Sequence, residues 1–328
     1  MFSYRSVLSS AWTTTKQHKK LWIFGFLAFL LSAGGEYQVL TKILNEEYGA
    51  AVYEKMLTGN IFFTTSFWSD LIKVCLSEPR TGFAVIMMIV LMSALALFIL
   101  WLCVKSQISL VKWTKTYLNS RNKDKKPSIW EEINIKDGNF WPVLSLNIAV
   151  KIIITALFAI LSLPLIFLYF NDSNLTILVY TIFFIIFLPI AISISLIVKY
   201  AIVAVVLEKQ SFVKATELAV KLFIKNWLVS LEMAILLFLI NFLVGLAGVF
   251  ILSIIIIPII LTLIIFGLAT PLYVIAITAF IAMIIIASAL MTFQTSSWTL
   301  LFIELQESGV KAKLERIFTK KTKKLRKK

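Results

Sequence analysis

Polar positions are so rare in the last third of the chain that their spacing defines its elements. Residues 227–305 form a 79-residue stretch with two formal charges, Glu232 and Glu304. About 20 apolar residues suffice to cross a bilayer as a helix, so a run of this length crosses at least twice. The same pattern divides the chain into six apolar segments: 21–35, 83–104, 143–170, 175–207, 227–257 and 271–305. Asn171, Asp172, Ser173 and Asn174 make a tight polar turn between the third and fourth. Pro258 and Pro271 bracket an apolar link, which is re-entrant if it stays within the membrane. Non-helical backbone at that depth has to be shielded by protein, because lipid cannot satisfy its hydrogen bonds.

The expected fold is an all-α integral membrane protein. Six transmembrane helices are arranged as three hairpin repeats, each introduced by a cytoplasmic-side amphipathic helix. The repeat is read from residues 6–22 and 211–227, each with Ser, a 15-residue interval, and Trp at the start of an apolar segment. Lys16 and Lys221 correspond, and 128–141 is a shorter third copy. Within 211–226, Phe212, Ala215, Leu218 or Ala219, Leu222 and Phe223 share one helical face, while Lys214, Glu217, Lys221 and Lys225 share the other. Such a helix lies in the interface with its apolar side towards acyl chains; the competing reading is an ordinary cytoplasmic connector. Trp22, Trp141 and Trp227 fall where aromatic rings prefer the headgroup level.

Charge orients these segments. Arg5, Lys16, Lys19 and Lys20 precede the first segment without an acid. Residues 105–141 carry eight basic and four acidic side chains, 208–226 four and two, and 304–328 ten and three. The intervening 36–82 carry four basic and six acidic ones. Basic stretches alternate with the others in register with six spans, so the positive-inside rule puts both termini in the cytoplasm and the 36–82 loop outside. One rival reading of the N-terminus is a signal peptide, with Ser32, Ala33, Gly34 and Gly35 as small residues at a cleavage site. Recurrence of the same unit within the chain counts against it.

The net charge is +15 and the mean hydropathy +0.92. Two cysteines, Cys75 and Cys103, imply no disulfide framework. A single histidine, His18, is too few for a His-rich metal site, and no cofactor is expected. The membrane domain is placed at 1–310 and a basic tail at 311–328. Cationic juxtamembrane clusters attract anionic lipid, so the expected partners are membrane lipids, predominantly anionic. Nucleic acid is not expected, because Phe318 is the tail's only aromatic residue and stacking is what would make that case.

Residues 207–215, LEKQSFVKA, continuing to Lys225, Asn226 and Trp227, resemble the membrane domain of the membrane-anchored glycerophosphoryl diester phosphodiesterases and related uncharacterised six-span bacterial membrane proteins. Ala11-Trp12 through Leu21-Trp22-Ile23-Phe24-Gly25 is similar to the start of the same group. The resemblance implies a prokaryotic plasma (inner) membrane. In the phosphodiesterases the catalytic barrel is a separate soluble domain after the membrane part. Here about two dozen basic-rich residues follow the last span. No catalytic residue carries over, and the chain is read as non-enzymatic.

Ionisable residues inside spans are functional candidates by default. Lys151, Lys199 and Glu232 are the three here, all in the cytoplasmic half of the bilayer when counted from Trp141, Leu207 and Trp227. Asn147 and Ser195 lie four residues before Lys151 and Lys199, one turn away on each helix. Together they form either an inward-facing pocket for an anionic group or, more plainly, snorkelling lysines with Glu232 neutralising one of them. Asn241 and Gln294 are deeper and suit interhelical hydrogen bonds. The expected role is a scaffold in envelope organisation, associated with lipid; the alternative is a transporter for an anionic or amphipathic solute.

Overall fold

The computed structural model describes residues 4–32, 79–120, 139–170, 174–265 and 270–307. Their regular structure is entirely helical: α1 (Tyr4–Gln17), α2 (Leu21–Ser32), α3 (Pro79–Ser120), α4 (Phe140–Phe170), α5 (Asn174–Glu208), α6 (Phe212–Lys225), α7 (Trp227–Ile265) and α8 (Thr270–Glu307). Five of these, α3, α4, α5, α7 and α8, are long and apolar enough to cross a membrane, and α2 contributes a shorter apolar helix over Leu21–Leu31. Most of the 36–82 segment, the third repeat copy up to residue 138 and the 311–328 tail lie outside the described residues.

Two helices, α3 and α7, run well past their hydrophobic segments, and α5 and α7 each continue through an internal proline. α3 has 42 residues, about 63 Å at 1.5 Å per residue. It continues past residue 104 through Lys105, Lys112 and Lys115, where a loop is expected from charge. α5 continues through Pro189, and α7 through Pro258 to Ile265. The proposed apolar link is therefore helical as far as Ile265, with 266–269 outside the described residues. Proline removes one ladder donor, but tolerance of this is common in membrane helices, where local adjustments satisfy the freed groups.

α1 and α6 are short and amphipathic. Near the end of α1, Thr13, Thr14 and Thr15 turn their hydroxyls back on the carbonyls of Ser9, Ser10 and Ala11 at 2.8, 2.9 and 2.9 Å. The helix ends at Gln17, and the Trp22 indole donates to the Thr15 carbonyl at 3.0 Å, tying the start of α2 to the end of α1. α6 is joined to α7 by Asn226 alone. Its backbone N–H reaches the Leu222 and Phe223 carbonyls, its side-chain amide reaches Leu222 as well, and its carbonyl accepts from Ser230 N–H at 3.0 Å.

Lys214, Glu217, Lys221 and Lys225 are exposed on α6. Its apolar face differs from the expectation. Ala215, Ala219 and Leu222 are buried in protein, with α6 in close contact with α7, instead of facing acyl chains. Periodicity shows that such a face exists; it does not show what covers it. Val213 and Ile224 remain exposed.

The chain divides into two compact units. One comprises 1–31, 103–147 and 196–328 and holds nearly all buried side chains. Leu21, Ala28, Leu110 and Trp113 pack together in it, with Phe24 and Met291 against them. Tyr200 packs edge-on to Trp298 and against Phe302. The other comprises 32–102 and 148–195, and its described apolar side chains, such as Leu91, Leu97, Ile152 and Ile185, are largely exposed. Exposed apolar surface on this scale is unfavourable in water and natural in lipid.

Candidate functional site

A groove of about 860 Å³ opens between α1, α7 and α8. Arg5, Leu8, Ser9 and Trp12 line it from one face of α1, and Tyr4 adjoins them. Glu232, Ile235, Leu236 and Ile240 line it from one face of α7. Phe293 of α8 completes the lining and meets Trp12 edge-on, with ring centroids 6.1 Å apart. Three aromatic rings, one cation and one carboxylate thus share a cavity that is otherwise mostly aliphatic. From Glu232 the apolar wall continues to Ile240, about 12 Å along the helix axis.

The expected intramembrane cluster is distributed over several environments. Glu232 lines the groove. Lys199 is half-buried, with Nζ 4.9 Å from the centre of the Trp298 ring, a cation–π distance. Asn147 is buried, donating to Gln107 Oε1 at 2.9 Å and to the Val143 carbonyl at 2.8 Å. Lys151, one turn further along α4, is exposed. Ser195 is buried in α5. Asn147 therefore ties α4 to α3, which is a packing role. Asn241 Oδ1 is buried and has no hydrogen-bond partner among the described residues.

Other polar contacts concentrate around α8. Thr114 Oγ1 meets Ser296 Oγ at 3.1 Å, and Thr292 Oγ1 donates to the Leu21 carbonyl at 3.3 Å. Tyr200 and Ser230 hydroxyls are 2.7 Å apart, and Ser230 also donates to the Asn226 carbonyl at 3.0 Å. Gln306 donates to Glu208. A Cβ at Gly25 would overlap the Ser288 carbonyl oxygen and the Thr292 hydroxyl, so α2 and α8 meet backbone to backbone there. Among the described residues, no group of three or more His, Cys, Asp or Glu side chains could hold a metal ion.

Sequence reasoning identified Glu232 but not Arg5, which belongs to the N-terminal basic set used only for orientation. It also passed over Gly25. The signal for Gly25 was small residues facing small residues: Gly25 and Ala28 on α2, and Ser288, Thr292 and Ser296 at four-residue intervals on α8. No protein-family model, curated protein or solved structure matches this chain.

Proposed function

We propose that this protein is a non-enzymatic, six-span protein of the prokaryotic plasma membrane, with both termini cytoplasmic, acting as a lipid-associated scaffold in envelope organisation. The observation that carries the reading is the groove. It is lined mainly by aliphatic and aromatic side chains, with charge confined to Arg5 and Glu232, which suits an amphiphile better than a small polar solute. Five long apolar helices, the shorter apolar α2 and the alternation of basic segments support the topology. The order of amphipathic helix then apolar helix in α1–α2 and α6–α7 supports the repeat. The exposed lysines of α6 and the basic 311–328 segment supply the attraction to anionic lipid. Deletion of the gene, followed by envelope lipid analysis and a dye-permeability assay, tests this role; the expected outcome is altered lipid composition or a leakier envelope. Unchanged composition and integrity would count against it.

A second reading, a transporter for an anionic or amphipathic solute, draws on Glu232 in the groove and on Lys199 held against Trp298. Its test is the combined substitution Lys151→Gln, Lys199→Gln and Glu232→Gln in an active uptake system; uptake that survives all three would sink it.

A further inference from the structure

We infer that the groove between α1, α7 and α8 is a binding site for a single zwitterionic phospholipid, with the headgroup ammonium at Glu232, the phosphate at Arg5 and an acyl chain along Ile235, Leu236 and Ile240. The inference rests on the lipid-associated reading above and specifies its ligand. Charge complementarity selects this occupant. An ammonium is attracted both by a carboxylate and by aromatic faces, and Glu232 shares the cavity with Tyr4, Trp12 and Phe293. A guanidinium suits phosphate oxygens through its forked donors, and Arg5 is the cation in the lining. A purely anionic lipid can place its phosphate at Arg5 but brings no cation to Glu232. A simple cationic amphiphile would be attracted to Glu232 and repelled at Arg5.

Position agrees with chemistry. Glu232 lies five residues into α7 from Trp227, about 8 Å along the axis. Ile240 lies about 12 Å deeper. A headgroup held at Glu232 therefore sends its chain inward along a wall that carries no charge. The preference also runs against the rest of the molecule. A chain of net charge +15 attracts anionic lipid non-specifically, so selection of a zwitterion has to come from a local site.

The test is native mass spectrometry of the full-length protein from mixed micelles holding equal amounts of dioleoyl phosphatidylethanolamine and dioleoyl phosphatidylglycerol. Moderate salt screens exposed charge. The expected result is one tightly retained phosphatidylethanolamine, preferred about tenfold, as for one charge-assisted contact. Glu232→Gln should abolish that preference while leaving phosphatidylglycerol retention unchanged. Arg5→Gln should lower retention of both lipids. Ile240→Trp, which fills the acyl wall, should reduce occupancy without changing headgroup preference. Equal retention of the two lipids by the unaltered protein, a preference for the anionic one, or a second copy of the chain in place of lipid would overturn the inference. The headgroup comparison needs no variant, so it decides the question even where a substitution prevents folding. Retained lipid without headgroup preference would leave the scaffold reading intact and reject only the zwitterion site. No retained lipid at all would remove both.

Discussion

The two halves of α8 are built on opposite rules. Residues 274–287 are almost wholly aliphatic or aromatic, and Val274, Ile277, Phe280, Ile281 and Ile285 are all exposed. Residues 288–305 hold Ser288, Thr292, Ser296, Ser297 and Thr299, and every one of these is buried. Along one continuous helix, hydropathy falls where burial rises. In a soluble protein the order is reversed, because water drives apolar groups inward. Lipid supplies no such drive between helices. Close packing of small side chains and hydrogen bonds between helices become the cohesive forces.

The sharpest test of this contrast uses one residue type on one helix. Phe302 is 0% exposed and Phe280 67%. Phe302→Ala should cost about 3–5 kcal/mol through the cavity it leaves. Phe280→Ala, facing lipid, should stay within about 0.5 kcal/mol. Reversible unfolding in mixed detergent micelles measures both, and equal effects would break the comparison.

Gly25 probes the packed half from the opposing helix. Gly25→Val adds bulk against the Ser288 carbonyl and Thr292, with an expected loss of about 1–3 kcal/mol from overpacking. Gly245 has open space around its missing Cβ, so Gly245→Ala should be stabilising or neutral in the same assay. A Gly25 variant as stable as the parent would show that the α2–α8 contact is not needed.

A smaller effect is expected from Tyr200→Phe, which deletes the 2.7 Å contact with Ser230 but leaves the ring against Trp298. Ser230 keeps its bond to the Asn226 carbonyl, so no buried hydroxyl is orphaned. The loss should be about 1 kcal/mol. A double-mutant cycle with Ser230→Ala isolates the pair, and a coupling of zero would place its stability in packing alone.

The smallest effect lies on the exposed side of α6. Lys221 donates to Glu217 at 2.6 Å, and that hydrogen bond, followed by the lysine's charge, holds the Glu217 carboxyl below its ordinary value. A lowered folded-state value means that any stabilisation is present above the unfolded carboxylate value and is lost as pH falls through the folded one. Both side chains are open to solvent, at 71% for Lys221 and 60% for Glu217, so screening leaves little of it. Thermal scans from neutral to acidic pH should superimpose for the parent and Glu217→Gln. A separation present at neutral pH that closes as pH falls through the carboxylate range would show that the pair contributes more than an exposed pair usually does.

Much of the helical framework was legible in the sequence; of the candidate residues, Glu232 is the one that lines the groove. The 227–305 run announced membrane helices, and the alternating faces of 211–226 announced α6, whose lysines are exposed as expected. Helix ends were less legible. α3 runs on through Lys105, Lys112 and Lys115 because lysine is a good helix former, although its charge reads as a loop. Asn147 and Lys151 sit one turn apart and looked equivalent, yet one is buried on Gln107 and the other is exposed. Spacing places two side chains on a helix face but does not say where the neighbouring helix stops.

What the sequence determined by itself is the material of the protein: long uncharged segments whose backbone must satisfy its own hydrogen bonds, for which the α-helix is the local solution in lipid. What only the tertiary structure decided is which helix touches which. Arg5 and Glu232 are separated by more than two hundred residues of chain, and nothing in either local pattern marks the other. They line one groove because α1 packs along α8 while α7 lies beside it. That docking is set by surface shape and by the size of single side chains, which in lipid outweigh the hydropathy that a linear reading detects.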